Sequence, residues 1–297
     1  MVLSGLETER QNRASSDLDK SSALEIATLM NREDAKALRA VREALPEIAK
    51  AIDVAYNCLA KGGRLIYVGS GTSGRIGALD ASECAPTFGI DPSIVQYVMA
   101  GGERALANAT EASEDSSQLG RSDMAARKPG KRDVVVGLAA SGRTPYTIAA
   151  LKYAAKKGAT TVAVICNRDS ELARVAQIAI EAEVGPEVLT GSTRLKAGTA
   201  QKLICNMIST GAMARLGYVY GNLMVHLRLN NEKLIERGIS IVQRIAKVNR
   251  VVALATLKTA NMKLPVALVM LCAKVSKTEA VRRLRRAQGS VRKAIEA

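Results

Sequence analysis

The chain has 297 residues, 47% of them apolar, and a formal net charge of +15. That length allows one large domain or two modest ones, each with a sizeable core. Aromatic residues make up only 3%, with no Trp and one Phe, so the core has to be built from aliphatic side chains, which suits a parallel sheet under helices better than an all-β sandwich.

Residues 1–20 are polar and read as an arm. Helical periodicity starts near Ala23 and is strong over 34–61, where Pro46 predicts a kink or two helices and the pair Gly62 and Gly63 a stop. Short apolar runs then follow at 64–68 (RLIYV), 93–100, 133–139 and 161–167, with an edge strand at 178–183. Helical patterns lie between most of them. Val/Ile-rich strands alternating with helices predict a doubly wound parallel sheet. A long helix is expected over 192–216. Beyond 231 only helices remain: one long helix over 232–257, then short ones over 265–274, 277–286 and 291–296, with a capping box from Ser276 to Glu279. The expected organisation is an arm with helices (1–62), a sheet domain (63–230) and a helical subdomain (231–297).

The other inventories are mostly exclusions. Five cysteines without a CxxC pair point to reduced thiols rather than disulfides or zinc, and one histidine, His226, argues against a His-based triad. No apolar run reaches the roughly 20 residues of a membrane span and the N-terminus has no apolar signal core, so a cytoplasmic protein with no membrane partner is expected. Residues 231–297 hold 15 Lys+Arg against 4 Asp+Glu. No aromatic residue interleaves those cations, which argues for solvated helix faces and against nucleic acid.

The first strand runs into GSGTSG at 69–74, with a helix following. The spacing fits a dinucleotide loop, but the helix is expected to be cut short by CAPTFG at 84–89, and no acidic residue ends the next strand. Three hydroxyls, Ser70, Thr72 and Ser73, crowd the loop and suit a terminal phosphate instead. The third strand ends alike, delivering Ser141, Arg143 and Thr144 ahead of Pro145. Two such loops at the ends of neighbouring strands could converge on one phosphate. Glu83 and Glu114 fall where the crevice of an open sheet would lie, yet spacing alone does not separate them from Glu103, Glu111 and Asp115.

The segments at 68–89 (VGSGTSGRIGALDASECAPTFG), 185–202 (GPEVLTGSTRLKAGTAQK), 6–19 (LETERQNRASSDLD) and 211–224 resemble the N-acetylmuramic acid 6-phosphate etherases. The 185–202 signature is shared with the glucokinase regulatory proteins. The resemblance spans essentially the whole chain. It implies a sugar isomerase (SIS) fold, a homodimer, and cleavage of the D-lactyl ether of N-acetylmuramic acid 6-phosphate to N-acetylglucosamine 6-phosphate and D-lactate in cell-wall recycling, with no metal or organic cofactor. The family's catalytic glutamates fall on Glu83 and Glu114, and its phosphate contacts on Thr72 and Ser73 in the first loop and on Ser141, Arg143 and Thr144 in the second. Glu187, Ser192 and Lys196 are implied to line the sugar or a neighbouring subunit's site. Two departures stand out: Ala85 where the family commonly has Pro, and His226, read as packing or surface variation, where an acidic residue is usual.

The chemistry so implied is elimination from the open-chain aldehyde, then addition of water. A carboxylate removes the C2 proton and a carboxylic acid protonates the leaving lactyl oxygen. By family analogy Glu83 is the acid and Glu114 the base, though the roles could be exchanged. Two other readings of the same loops stay open: a non-catalytic sugar-phosphate regulator, which the chain length disfavours, and a ketose/aldose isomerase. DNA binding by the basic tail is a third alternative.

Overall fold

The computed structural model describes residues 7–108 and 113–297. The chain folds as two compact units, one of residues 1–82 and 93–209, the other of residues 83–92 and 210–297. The first unit takes in the arm and its helices, and the second begins before residue 231. The divisions at 82/83 and 209/210 both fall inside helices, at 71–88 and 196–216.

In the first unit α1 (Ala23–Glu43) and α2 (Leu45–Ala60) meet at Ala44, with Pro46 in the first turn of α2, where a missing N–H costs nothing. Ser22 caps α1 through a reciprocal capping box with Glu25. Among the described residues five strands follow, β1 (Leu65–Gly69), β2 (Val95–Met99), β3 (Val134–Leu138), β4 (Thr160–Ile165) and β5 (Ile178–Glu181), with the short helices α4 (Arg104–Ala107) after β2 and α7 (Glu171–Val175) after β4. The strands all pair in parallel, in the order β2-β1-β3-β4-β5. β1 and β3 are buried along their whole length, as strands covered on both faces must be.

Alternation divides β1 between the two faces of the sheet. Ile66 and Val68 join a core cluster with Tyr146 and Leu151 of α6 (Pro145–Lys156) and Met124 of α5 (Ser117–Ala126). Tyr67 points the other way, toward α3 (Gly71–Phe88) and α8 (Lys196–Leu216), where its hydroxyl donates to Asp80 Oδ2 at 2.8 Å. Asn206 and Ser209 of α8 donate to Asp80 Oδ1 at 2.6 and 3.1 Å, so this buried carboxylate ties strand and both helices together. Close packing of α3 on the sheet depends on Gly77, where a Cβ would stand 2.8 Å from that of Tyr67.

Helix α3 is longer than expected. It runs through Pro86 to Phe88, because a proline in the last turn removes a single backbone bond, and the turn still closes with Gly89 N–H donating to the Ala85 carbonyl at 2.9 Å. Ala85 thus sits in regular helix.

The second unit holds α9 (Glu232–Ala246), α10 (Arg250–Thr259), α11 (Leu264–Cys272), α12 (Lys277–Arg286) and α13 (Val291–Glu296). Apolar on every side, α11 buries Leu264, Val266, Leu268 and Val269 in the core of this unit. The single helix expected over 232–257 is two. Lys247 ends α9 in the left-handed conformation (φ 56°), and Asn249 restarts the chain by accepting from Val252 N–H at 3.0 Å. Arg282, Arg285 and Arg286 lie exposed on α12, whose other face buries Ala280 and Leu284. His226 packs: its Nε2 lies 2.9 Å from the Gly289 carbonyl oxygen, its ring tilts against Tyr218, and burial lowers its pKa. All five cysteines are free. Among the described residues no single helix is long and apolar enough to cross a membrane.

Candidate active site

In this strand order β1 lies between β2 and β3, so the chain leaves it toward opposite sides of the sheet. The crevice beyond the carboxyl ends at such a switch point is where open α/β sheets bind ligands. The two hydroxyl-rich loops lie there. Helix α3 begins at Gly71, two residues after β1 ends at Gly69, a turn made with Gly71 at φ +50°. The first N–H groups of a helix have no partner within it, and its dipole favours an anion there. After β3 the chain turns through Ser141, which accepts from Arg143 N–H at 3.2 Å, and enters α6 at Pro145. Thr144 is the N-cap of α6 but makes no side-chain cap bond.

These loops close one cavity of about 350 Å³, lined by Ser70, Thr72, Ser73, Ser141, Thr144 and Glu114. Six of the expected site residues therefore come together. The Ser73 hydroxyl donates to Gln201 Oε1 at 2.8 Å, which holds that side chain against α8. Glu114 is fixed by the first turn of α6, since its carbonyl accepts from Tyr146 N–H at 3.1 Å. Its carboxylate reaches across to the first loop, where a methyl group on Gly71 would stand 2.8 Å from Oε1. Only a glycine serves at 71, on both backbone conformation and space.

The remaining candidates lie elsewhere. Glu83 is exposed on α3, twelve residues beyond Gly71 and so about 18 Å along the helix axis. Arg143 and Ser192 stand outside the cavity lining. Glu187 and Lys196 do not line it either. Glu187 is fully buried and accepts from the Lys196 and Ala197 N–H groups at 3.0 and 2.9 Å, capping the start of α8; burial raises its pKa against those two bonds. The Lys196 ammonium is buried too, donating to Glu33 Oε2 at 2.8 Å and to the Pro186 carbonyl at 2.6 Å. Burial alone would raise the Glu33 carboxyl, but hydrogen bonds from Lys196, Lys36 and Asn12 bring it down to about 2. Both Glu187 and Lys196 thus spend these polar atoms inside the fold. Of the rival acids, Glu103 and Asp115 are exposed and outside the lining, and Glu111 lies outside the described residues.

The structure adds lining residues for which the sequence raised no expectation: Glu9, Arg75, Gly191 and Thr193. Arg75 is turned to holding the chain after β2, donating to the Leu106 and Asn108 carbonyls at 3.0 and 3.1 Å. Glu9 and Thr193 belong to segments that carried the family resemblance. That was the available signal, but a charged residue in a polar arm shows nothing of where the arm docks.

Known proteins are similar in sequence to this chain along its length. The glucokinase regulatory protein N-terminal SIS domain matches residues 47–155, and the SIS domain matches residues 108–210. The chain is 49% identical over 294 residues to the N-acetylmuramic acid 6-phosphate etherase of Clostridium beijerinckii, covering 99% of this chain and 97% of that one. Against the enzyme of the same name from Enterobacter sp. it is 49% identical over 296 residues, covering all of both chains. A solved structure from Bacteroides fragilis, assigned as a phosphosugar isomerase, is 18% identical with a TM-score of 0.51, covering 68% of this chain and 95% of that one, a likeness of fold. The fold is a SIS domain with an added helical unit.

Proposed function

Since the chain belongs to the N-acetylmuramic acid 6-phosphate etherase family, we propose that it is a carbon–oxygen lyase acting on N-acetylmuramic acid 6-phosphate, releasing D-lactate and N-acetylglucosamine 6-phosphate. The observation that carries the reading is the cavity at the β1/β3 switch point, where six hydroxyl side chains and a helix N-terminus line the same space as the Glu114 carboxylate. Hydroxyl and N–H donors hold the phosphate dianion. The Glu114 carboxylate at the same cavity is the group that takes the C2 proton of the open-chain sugar.

Elimination also needs an acid at the lactyl oxygen, which is borne by C3, the neighbour of the carbon that loses its proton. Glu83 has that role by family analogy. We infer that a second copy of the chain supplies it, so that the working enzyme is a homodimer. Support comes from the face of α3 that bears Glu83. One turn earlier on that face is Leu79, 51% exposed, an apolar side chain suited to cover by a partner. A sugar phosphate dianion does not cross a bilayer, which places the reaction in the cytoplasm where such sugars are made, in amino-sugar recovery from peptidoglycan.

The test is release of D-lactate from N-acetylmuramic acid 6-phosphate in deuterated water. Deuterium at C2 of the sugar product is expected; lactate release without it would exclude elimination, and no lactate would favour a sugar-phosphate regulator instead.

A further inference from the structure

We propose that Glu9 is a third substrate-contacting carboxylate, held by the clamped arm so that it accepts hydrogen bonds from hydroxyls of the sugar whose phosphate the Ser/Thr loops bind. The proposal rests on the sugar-phosphate reading of the cavity and extends it to a residue with no assigned role.

Three observations carry it. First, Glu9 lines the same cavity as Glu114, Ser70 and Ser141. Its Oε2 lies against the 191 turn, 3.2 Å from where a Cβ on Gly191 would stand, so glycine at that turn leaves room for the carboxylate.

Second, the arm is fastened on both sides of it. Thr8 is fully buried; its N–H donates to Asn167 Oδ1 at 3.4 Å, and its hydroxyl accepts from Asn167 Nδ2 at 3.2 Å. The same Nδ2 donates to the Ala140 carbonyl, part of the second loop, at 3.0 Å. Three residues beyond Glu9, Asn12 Nδ2 donates to Glu33 Oε2 at 2.8 Å and to the Pro186 carbonyl at 3.2 Å. Glu33 is the buried partner of Lys196. A surface arm pinned to a strand end on one side and to a buried ion pair on the other presents its carboxylate in a fixed place.

Third, charge sorts the cavity. A phosphate dianion repels carboxylates and takes donors, which the β1 and β3 loops provide. Glu9 and Glu114 then meet the neutral part of the ligand, whose hydroxyl groups are donors in need of acceptors. The nearest cation in sequence, Arg10, pairs with Glu7.

Calorimetry on the full chain tests this with two probes, N-acetylglucosamine 6-phosphate and inorganic phosphate, against wild type, Glu9→Gln and Glu9→Ala. Loss of a hydrogen bond to a charged acceptor predicts sugar-phosphate binding weakened roughly ten- to hundred-fold in Glu9→Ala and less in Glu9→Gln. Inorganic phosphate binding should be unchanged or tighter in both, and the thermal midpoint unchanged. Unaltered sugar-phosphate affinity in Glu9→Ala would overturn the proposal. So would a parallel loss for both probes, which would mean that the arm merely shapes the pocket. This proposal and the etherase reading fail separately: a wild type that releases no D-lactate yet binds the sugar phosphate through Glu9 sinks only the etherase reading, while wild-type KM in a lactate-releasing Glu9→Ala sinks only the contact.

Discussion

Two glutamates in the first unit, Glu114 and Glu187, have opposite employments. Glu187 is fully buried, and two backbone N–H groups at the start of α8 occupy its oxygens. Glu114 is half-buried, held by its main chain, and its carboxylate faces a hydroxyl-lined cavity. The difference teaches how to sort acidic residues within family motifs: an acid whose oxygens are saturated by the backbone is a staple, and an acid fixed by its backbone with its carboxylate at a cavity is a tool.

The contrast can be broken by substitution. The largest effect is expected from Glu114→Gln, which keeps the shape and removes the base. Its kcat should fall on the order of 10²–10⁴-fold, with the unfolding midpoint unchanged. An active Glu114→Gln would end the assignment. For Glu187→Ala the effect should move to stability, with a loss of about 1–3 kcal/mol on denaturant unfolding, as a buried cap is removed and two N–H groups are left without an acceptor. At low temperature the folded fraction should keep its kcat; a selective loss of kcat would show that Glu187 acts at the site.

A smaller effect concerns Glu33, which anchors the arm. Its pKa is lowered in the folded state to about 2 from a usual 4.5. The folded state therefore binds this proton less tightly than the unfolded chain does. The stabilisation is complete above about pH 4.5 and is lost as pH falls toward 2. Unfolding of wild type against pH should show that acid limb, and Glu33→Gln should flatten it; an unchanged limb would show that other groups set the acid sensitivity.

The sheet was legible because buried parallel strands need unbroken apolar runs, and the runs at 64–68 and 133–139 have no other use. The two loops were legible because Gly beside Ser and Thr after such a run has a recognisable purpose. What could not be read depends on distance through space. Glu9 reaches the cavity because Thr8 meets Asn167, 159 residues away. Lys196 resembles a phosphate ligand until Glu33 is found beside it. The break at Lys247 was hidden because α9 and α10 keep helical periodicity on either side of one left-handed residue. The acid–base pair came from family motifs.

The most direct measurement is complementation. Glu83→Ala and Glu114→Ala chains, each inactive alone, are unfolded together and refolded as a mixture, and D-lactate release is assayed. If each site takes Glu114 from one chain and Glu83 from the other, random pairing restores about a quarter of wild-type activity, since half of the dimers carry one intact site of two. A mixture as inactive as its parents, with exchange of chains demonstrated, would contradict the shared site.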